Sequence, residues 1–339
     1  MKVRITDVTL RDGSHPLEHR LTVERAVAIA GALIGAGVPV IEVSHGDGLG
    51  GSSLIYGFSL VDEHRLIACT SPIAQGAGAQ LSVLFLPGIG TSADLERAAE
   101  EGATVARIAT HSTEANLAVQ HLTKACELGM EPVGFLMMAH MASPSTLAEQ
   151  ARIQEAAGAR VVYCTDTAGA LTPSSTAARV AALREALEPE TVVGFHAHNN
   201  LGLAVGNTIR AIEEGARHVD ASLRSLGAGA GNCATEVLVA VCESLDWETG
   251  IDVMAVADAA EDLVAPLGSG GVIDRASLLM GWTGVGNSLL LPARRAADHY
   301  GIKDTDILIE AGRRHLVSGQ EDMIIDIALQ LAAGVERRP

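Results

Sequence analysis

Residues 104–109 read TVARIA, residues 132–138 read PVGFLMM, and the chain between them passes through EANLAVQHLTKACEL at 114–128. The two short runs are mostly apolar and lack clean alternation, as strands buried on both faces do. The stretch between them has helical composition and is long enough to return the chain to the start of a parallel neighbour. The same unit recurs in both directions. Strand-like runs fall at 3–7, 38–43, 81–86, 104–109, 132–138, 160–165, 191–196 and 217–222, and amphipathic segments at 22–35, 92–101, 114–128, 145–157, 174–188 and 201–214. Gly37, Gly102, Gly129, Gly158 and Gly215 stand between a helical segment and the next strand, where a left-handed residue closes a helix.

Strand and helix in alternation, with eight strands, predict a closed (β/α)8 TIM barrel. An open doubly wound sheet is the alternative, but no GxGxxG occupies the first strand-to-helix turn. The glycine-rich stretch Gly46–Gly51 lacks the Lys-Ser/Thr of a phosphate loop and reads as a loop over the barrel mouth. Beyond residue 222 the strand signals stop. Segments 234–245, 252–265, 288–300, 304–312 and 318–333 read as helices, the first completing the eighth unit. The expected division is a barrel over residues 1–267 and a C-terminal helical domain over 268–339, joined at the Gly-rich stretch 268–271.

The 339 residues are 48% apolar and only 3% aromatic, which suits close helix-to-sheet packing. A net charge of −17 repels phosphate backbones and anionic lipid, and no Lys/Arg cluster interrupts it, so neither nucleic acid nor membrane is an expected partner. The start MKVRITDVTL has no signal-peptide pattern, and the five cysteines are widely spaced with no CxxC; a cytoplasmic protein with reduced thiols is expected.

In such a barrel the chemistry sits at the C-terminal ends of the strands. The polar residues there are Arg11, Asp12 and His15 after the first strand, and Glu42, His45 and Asp47 after the second. His111 follows the fourth, Asp166 and Thr167 the sixth, and His196, His198, Asn199 and Asn200 the seventh. His196-Ala197-His198 places two imidazoles on one face of a strand, and a carboxylate added to them makes a two-His, one-carboxylate metal site. Asp12 is the first choice for that carboxylate because strand 1 closes the barrel near strand 7; Asp166 competes and Glu42 follows. Arg11 offers a fixed cation for an enolate or carboxylate oxygen. His15 suits proton transfer, since an unperturbed imidazole is the side chain that changes charge near neutral pH. The GAGAGN stretch at 227–232, the methionines 137, 138, 141 and 280, and Cys164 read as packing residues.

The blocks ITDVTLRDGSH (5–15), IEVSHGDGLGGSS (41–53), FLPGIGT (85–91), VGFLMMAHM (133–141), HAHNNLGL (196–203), GAGAGN (227–232) and SGQEDMIID (318–326) resemble the pyruvate-specific class II aldolases acting on 4-hydroxy-2-oxovalerate and its homologues. The wider superfamily includes hydroxymethylglutaryl-CoA lyases and isopropylmalate synthases. The resemblance implies that Asp12, His196 and His198 hold Mn2+, with Mg2+, Co2+ or Zn2+ as alternatives. It implies that Arg11 stabilises a pyruvate enolate and His15 takes the 4-hydroxyl proton. Thr167 would lie beside the keto acid, and Leu84 and Leu86 would line the pocket for the aldehyde tail. The implied reaction is retro-aldol cleavage in aromatic hydrocarbon catabolism. The implied partner is an acylating acetaldehyde dehydrogenase at the C-terminal domain, and the implied assembly is oligomeric. Two stretches depart from the family pattern: in 281–289, Gly286 and Trp282 replace aromatic residues, one of them a catalytic tyrosine at 286, and after His198, Asn199 replaces a histidine. Those departures suggest two alternatives, a superfamily lyase or synthase with another electrophile such as an acyl-CoA, and a non-catalytic partner of the dehydrogenase.

Overall fold

The computed structural model describes residues 1–268 and 270–335, so the joint at 268–271 and the end of the C-terminal segment lie partly outside the described residues. Eight parallel strands close in sequence order: β1 (Arg4–Asp7), β2 (Val40–Glu42), β3 (Gln80–Phe85), β4 (Val105–His111), β5 (Glu131–Met137), β6 (Val161–Asp166), β7 (Val192–Ala197) and β8 (His218–Ala221), with β8 paired back to β1. The helices between them are α1 (Val23–Gly35), α2 (Glu63–Gly76), α3 (Ser92–Glu100), α4 (Val119–Glu127), α5 (Pro144–Ala156), α6 (Pro173–Ala186) and α7 (Ala204–Glu213). The expected TIM barrel is observed. All five inter-unit glycines have positive φ, from 73° at Gly129 to 111° at Gly215.

Strand parity divides the core. On β7, Val193 and Phe195 face the surrounding helices, while Val192 and His196 face inward; on β8, Val219 and Ala221 face out and Asp220 faces in. The outer face builds the large core under the helices. The inner face holds a smaller apolar group of Leu84, Val105, Ala109, Val133, Phe135, Val161 and Tyr163. Gly194 makes room for the last of these: a Cβ there would lie 2.4 Å from the Tyr163 ring.

Helix starts follow local chemistry. Thr91 and Asp94 form a capping box on α3, and Ser143-Pro144 and Thr172-Pro173 open α5 and α6 with a capping hydroxyl and an N-terminal proline. Two helices fall where the sequence reading placed none. Helix α2 carries Pro72 in its interior, where proline costs about 3 kcal/mol. Burial of Leu66, Ile67 and Ala74 in the core outweighs it.

Past β8 come α8 (Thr235–Ser244) and α9 (Val253–Ala259), then α10 (Arg275–Thr283), α11 (Leu290–Tyr300), α12 (Asp304–Arg313) and α13 (Met323–Val335). Helix α10 is the second unexpected one, capped by Asp274 and ended by Gly284 at φ 72°. Val256 and Val264 join the barrel's outer core, whereas Val285, Leu289, Ile307, Leu308, Ile324 and Ile327 build a separate core. Helix α10 lies on the barrel mouth. Asn200 donates to Ser277 O at 3.0 Å, and His140 donates to Gly284 O at 3.0 Å. Among the described residues, no helix is long and apolar enough to cross a membrane.

Candidate metal and enolate site

His196 ends β7 with its side chain turned inward, and His198 follows two residues later on the same face. Their Nδ1 atoms have fixed partners. His196 Nδ1 donates to Asp220 Oδ2 at 2.8 Å and His198 Nδ1 donates to the Ala228 carbonyl at 3.2 Å. A proton on each Nδ1 leaves the Nε2 lone pairs for a ligand, the arrangement outer partners impose on metal-binding histidines. Burial, with Arg11 and His196 nearby, pushes the His198 imidazole down to about 4, so it is neutral at neutral pH.

Asp12 comes from the short turn Asp12–Ser14 after β1. Burial alone would raise its pKa, but Arg11 and the surrounding imidazoles hold the carboxyl well below the usual carboxylate range. Its Oδ1 accepts from Arg11 Nη1 at 2.6 Å, and its Oδ2 accepts from Asn232 Nδ2 at 2.6 Å and from Ala228 N at 3.3 Å. The donor atoms of Asp12, His196 and His198 lie within 4.8 Å of one another, and all three residues are buried. One carboxylate and two imidazoles form a donor set that suits a divalent ion.

Asp166 and Glu42, the competing carboxylates, have other work. Asp166 turns out of the interior and accepts from Ala170 N at 2.8 Å and Leu171 N at 3.1 Å; burial pushes its carboxyl up to about 7. Glu42 lies between two guanidinium groups, accepting from Arg11 Nε at 2.7 Å and Arg107 Nη1 at 3.1 Å. Arg107, fully buried on β4, also donates to Asp220 Oδ2 and stacks 4.5 Å over the Phe135 ring. The result is a continuous charged path: Asp12, Arg11, Glu42, Arg107, Asp220, His196. Two arginines against three carboxylates leave a net charge of −1 beside the donor atoms, which favours a cation there.

Arg107, Asp220 and Asn232 are the residues the sequence reading missed. An arginine inside the apolar run at 104–109 and an aspartate at an inward position of the eighth strand were the available signals. The GAGAGN stretch, read as packing, supplies both Ala228 contacts and Asn232. A Cβ at Gly227 would lie 2.7 Å from Asp12 Oδ2, so only glycine lets this loop approach the carboxylate.

The other expected residues ring the mouth. Arg11 keeps Nη2 free of hydrogen bonds among the described residues. His15 stands with Nε2 3.8 Å from Asp12 Oδ1. Thr167 accepts from Met138 N at 2.9 Å. Leu84 faces the interior with Leu86 and Met137 beside it. A Cβ at Gly286 would meet nothing nearer than Ser318 Oγ at 3.8 Å and Met138 Sδ at 3.9 Å, so the position leaves open room beside the mouth.

The site is thus a metal-ready two-His, one-carboxylate set at the top of a (β/α)8 barrel, with a buried arginine against it. Residues 2–263 match the HMGL-like family, and residues 271–333 match the DmpG-like communication domain. The chain is 53% identical to a 4-hydroxy-2-oxovalerate aldolase of Geobacillus thermodenitrificans, over 97% of this chain and 95% of that one. It is 51% identical to 4-hydroxy-2-oxovalerate aldolase 3 of Comamonas testosteroni, over 98% and 96%. This chain belongs to the 4-hydroxy-2-oxovalerate aldolase family within the HMGL-like class. The fold extends to more distant structures. HMG-CoA lyase from Brucella melitensis superposes at TM-score 0.67 with 22% identity, over 78% of this chain and 98% of that one. The carboxyl transferase domain of Rhizobium etli pyruvate carboxylase superposes at TM-score 0.79 with 19% identity, over 98% of this chain and 60% of that one.

Proposed function

We infer that this chain is a carbon–carbon lyase that cleaves a 4-hydroxy-2-oxoacid to pyruvate and an aldehyde. The observation that carries the reading is the buried Asp12–His196–His198 set with Arg11 held against it. These three residues would hold a divalent ion, Mn2+ in our reading. When bound, such an ion supplies Lewis-acid polarisation of the 2-oxo group.

The protein's own groups do the rest. Arg11 is fixed by Glu42 and Asp12, so its remaining donor meets the negative charge that develops on the enolate oxygen without reorganising. His15, which makes no side-chain hydrogen bond among the described residues, takes the proton of the 4-hydroxyl as the C3–C4 bond breaks and C4 becomes the aldehyde carbon. The protonated His15 then holds the proton that C3 needs for release of pyruvate. Thr167 orients the keto acid, and Leu84 and Leu86 face the aldehyde tail. Gly286 contributes no hydroxyl, which assigns more of the proton traffic to His15. The barrel occupies residues 1–267 and the helical domain 268–339 in this reading. The match to a communication domain supports transfer of the aldehyde to an acylating aldehyde dehydrogenase docked there.

The test is pyruvate C3-proton exchange in D2O together with cleavage of 4-hydroxy-2-oxovalerate, with and without Mn2+. Exchange and cleavage that both require the metal are expected. A Mn2+-loaded protein that binds pyruvate but exchanges no C3 proton sinks the reading.

A further inference from the structure

A second group of metal-type donors stands beside the first. His15, His19 and Asp47 each bring one ligand atom to within 4.8 Å of the other two. Glu18 and His19 both adopt left-handed backbone, at φ 51° and 56°, which turns the chain so that the His15 and His19 rings meet edge to face at 5.1 Å. Asp47 arrives from the loop after β2.

The hydrogen bonds show which nitrogens are free. Ser14 Oγ donates its hydrogen to the Arg11 carbonyl at 2.6 Å, so the contact of 3.0 Å between Ser14 Oγ and His19 Nδ1 has the imidazole as donor. The lone pair of His19 is therefore on Nε2, close to Gly57 and beside the Tyr56 backbone, which the ring bonds when it carries a second proton. This is the outer-partner arrangement seen at His196 and His198. His45 is different. It accepts from Asp47 N at 3.1 Å through Nδ1 and donates to Gly57 O at 3.1 Å through Nε2. Both its nitrogens are used, and it serves as a wall stacked 3.8 Å from His19. Neither the His15 imidazole nor the Asp47 carboxylate makes a side-chain hydrogen bond among the described residues. A carboxylate oxygen and two imidazole nitrogens gathered this closely form a donor set for a cation.

We propose that His15, His19 and Asp47 form a second cation site, distinct from the Asp12–His196–His198 centre and suited to Zn2+. Two imidazoles and one carboxylate are borderline and hard donors together, matching zinc with a fourth position open. Bonds of about 2.0–2.2 Å place tetrahedral donors about 3.4 Å apart. Rotation of His15 and Asp47, which no hydrogen bond holds, closes the remaining distance. The site binds more weakly than the first because its cation lies close to the first ion and is repelled by it. Resting on the reading of His15 as the base, occupation takes the lone pair that the reaction needs, so zinc inhibits.

Equilibrium dialysis of the metal-free protein against zinc tests the site without using activity. The wild type is expected to bind two ions per chain, and His19→Gln, Asp47→Asn and His198→Ala one each. In Mn2+-loaded enzyme, His19→Gln should raise the half-inhibitory zinc concentration by more than about 10-fold, since loss of a direct ligand exceeds the effect of losing an outer one. One zinc ion in the wild type, or two in both His19→Gln and Asp47→Asn, overturns the proposal. Two ions bound with no loss of turnover keeps the site and removes His15 from the role of base.

Discussion

The floor of the site and its apolar flank are built on opposite principles. The floor is the charged path from Asp12 through Arg11, Glu42, Arg107 and Asp220 to His196, in which each interior member touches two others. The flank is Leu84 on β3, Leu86 just after that strand and Met137 on β5, held by dispersion and by exclusion from water. Removing one partner from the floor strands a buried charge, which costs about 3–5 kcal/mol. Trimming a leucine on the flank loses contacts and little else. Chemistry that must stay fixed is therefore on the floor, and the part that meets a variable aldehyde is on the flank.

The largest effect that separates the two regions is expected at Arg11. Arg11→Lys keeps the charge but loses the fork between Glu42 and Asp12, and kcat should fall about 10²–10³-fold. Retention of wild-type kcat would show that geometry at Arg11 is unimportant. Next comes the link from the floor to the metal ligands. Asp220→Asn should weaken Mn2+ binding, followed by the EPR signal of the free ion, about 10–100-fold. Arg107→Met should act in the same direction and also lower stability in urea unfolding. Unchanged Mn2+ affinity in both would break the claim that the floor acts as a unit.

The flank predicts the converse. Leu84→Ala or Leu86→Ala should shift the kcat/KM ratio between short- and long-tailed substrates by about 10-fold, with Mn2+ affinity unaltered. An equal loss on all substrates would remove these residues from the tail pocket.

The smallest effect concerns Asp166, outside both regions. Its folded carboxyl is raised from 3.8 to about 7 by burial, so the folded state binds its proton more tightly than the unfolded chain. That contribution to stability is present below about pH 4 and is lost as pH rises toward 7. Asp166→Asn, which keeps an acceptor for the Ala170 and Leu171 amides, should gain in Tm relative to wild type on going from pH 5 to pH 8. A difference that is constant across that range would contradict the raised carboxyl.

Much of this protein is legible in its sequence because the signals are local. Alternation of strand and helix, the glycine stops and the i, i+2 spacing of His196 and His198 are properties of short segments, and they carry the barrel and two of the three metal donors. Asp12 was chosen from barrel closure, and the structure brings it to the histidines. Helix α2 escaped because Pro72 hides a helix that is stabilised by distant packing. The loop at 227–232 escaped because glycine signals close approach without saying to what. Arg107 and Asp220 stand 113 residues apart, and Asp12 and Asn232 stand 220 apart. No periodicity encodes such pairings. The sequence by itself determined the barrel, its order and the residues able to bind a metal. Only the tertiary structure decided which carboxylate serves, which nitrogen of each histidine is free, and how buried charges join into one floor. Those outcomes depend on where the closed barrel aims each side chain and on burial, which lets an ion pair or a tautomer persist.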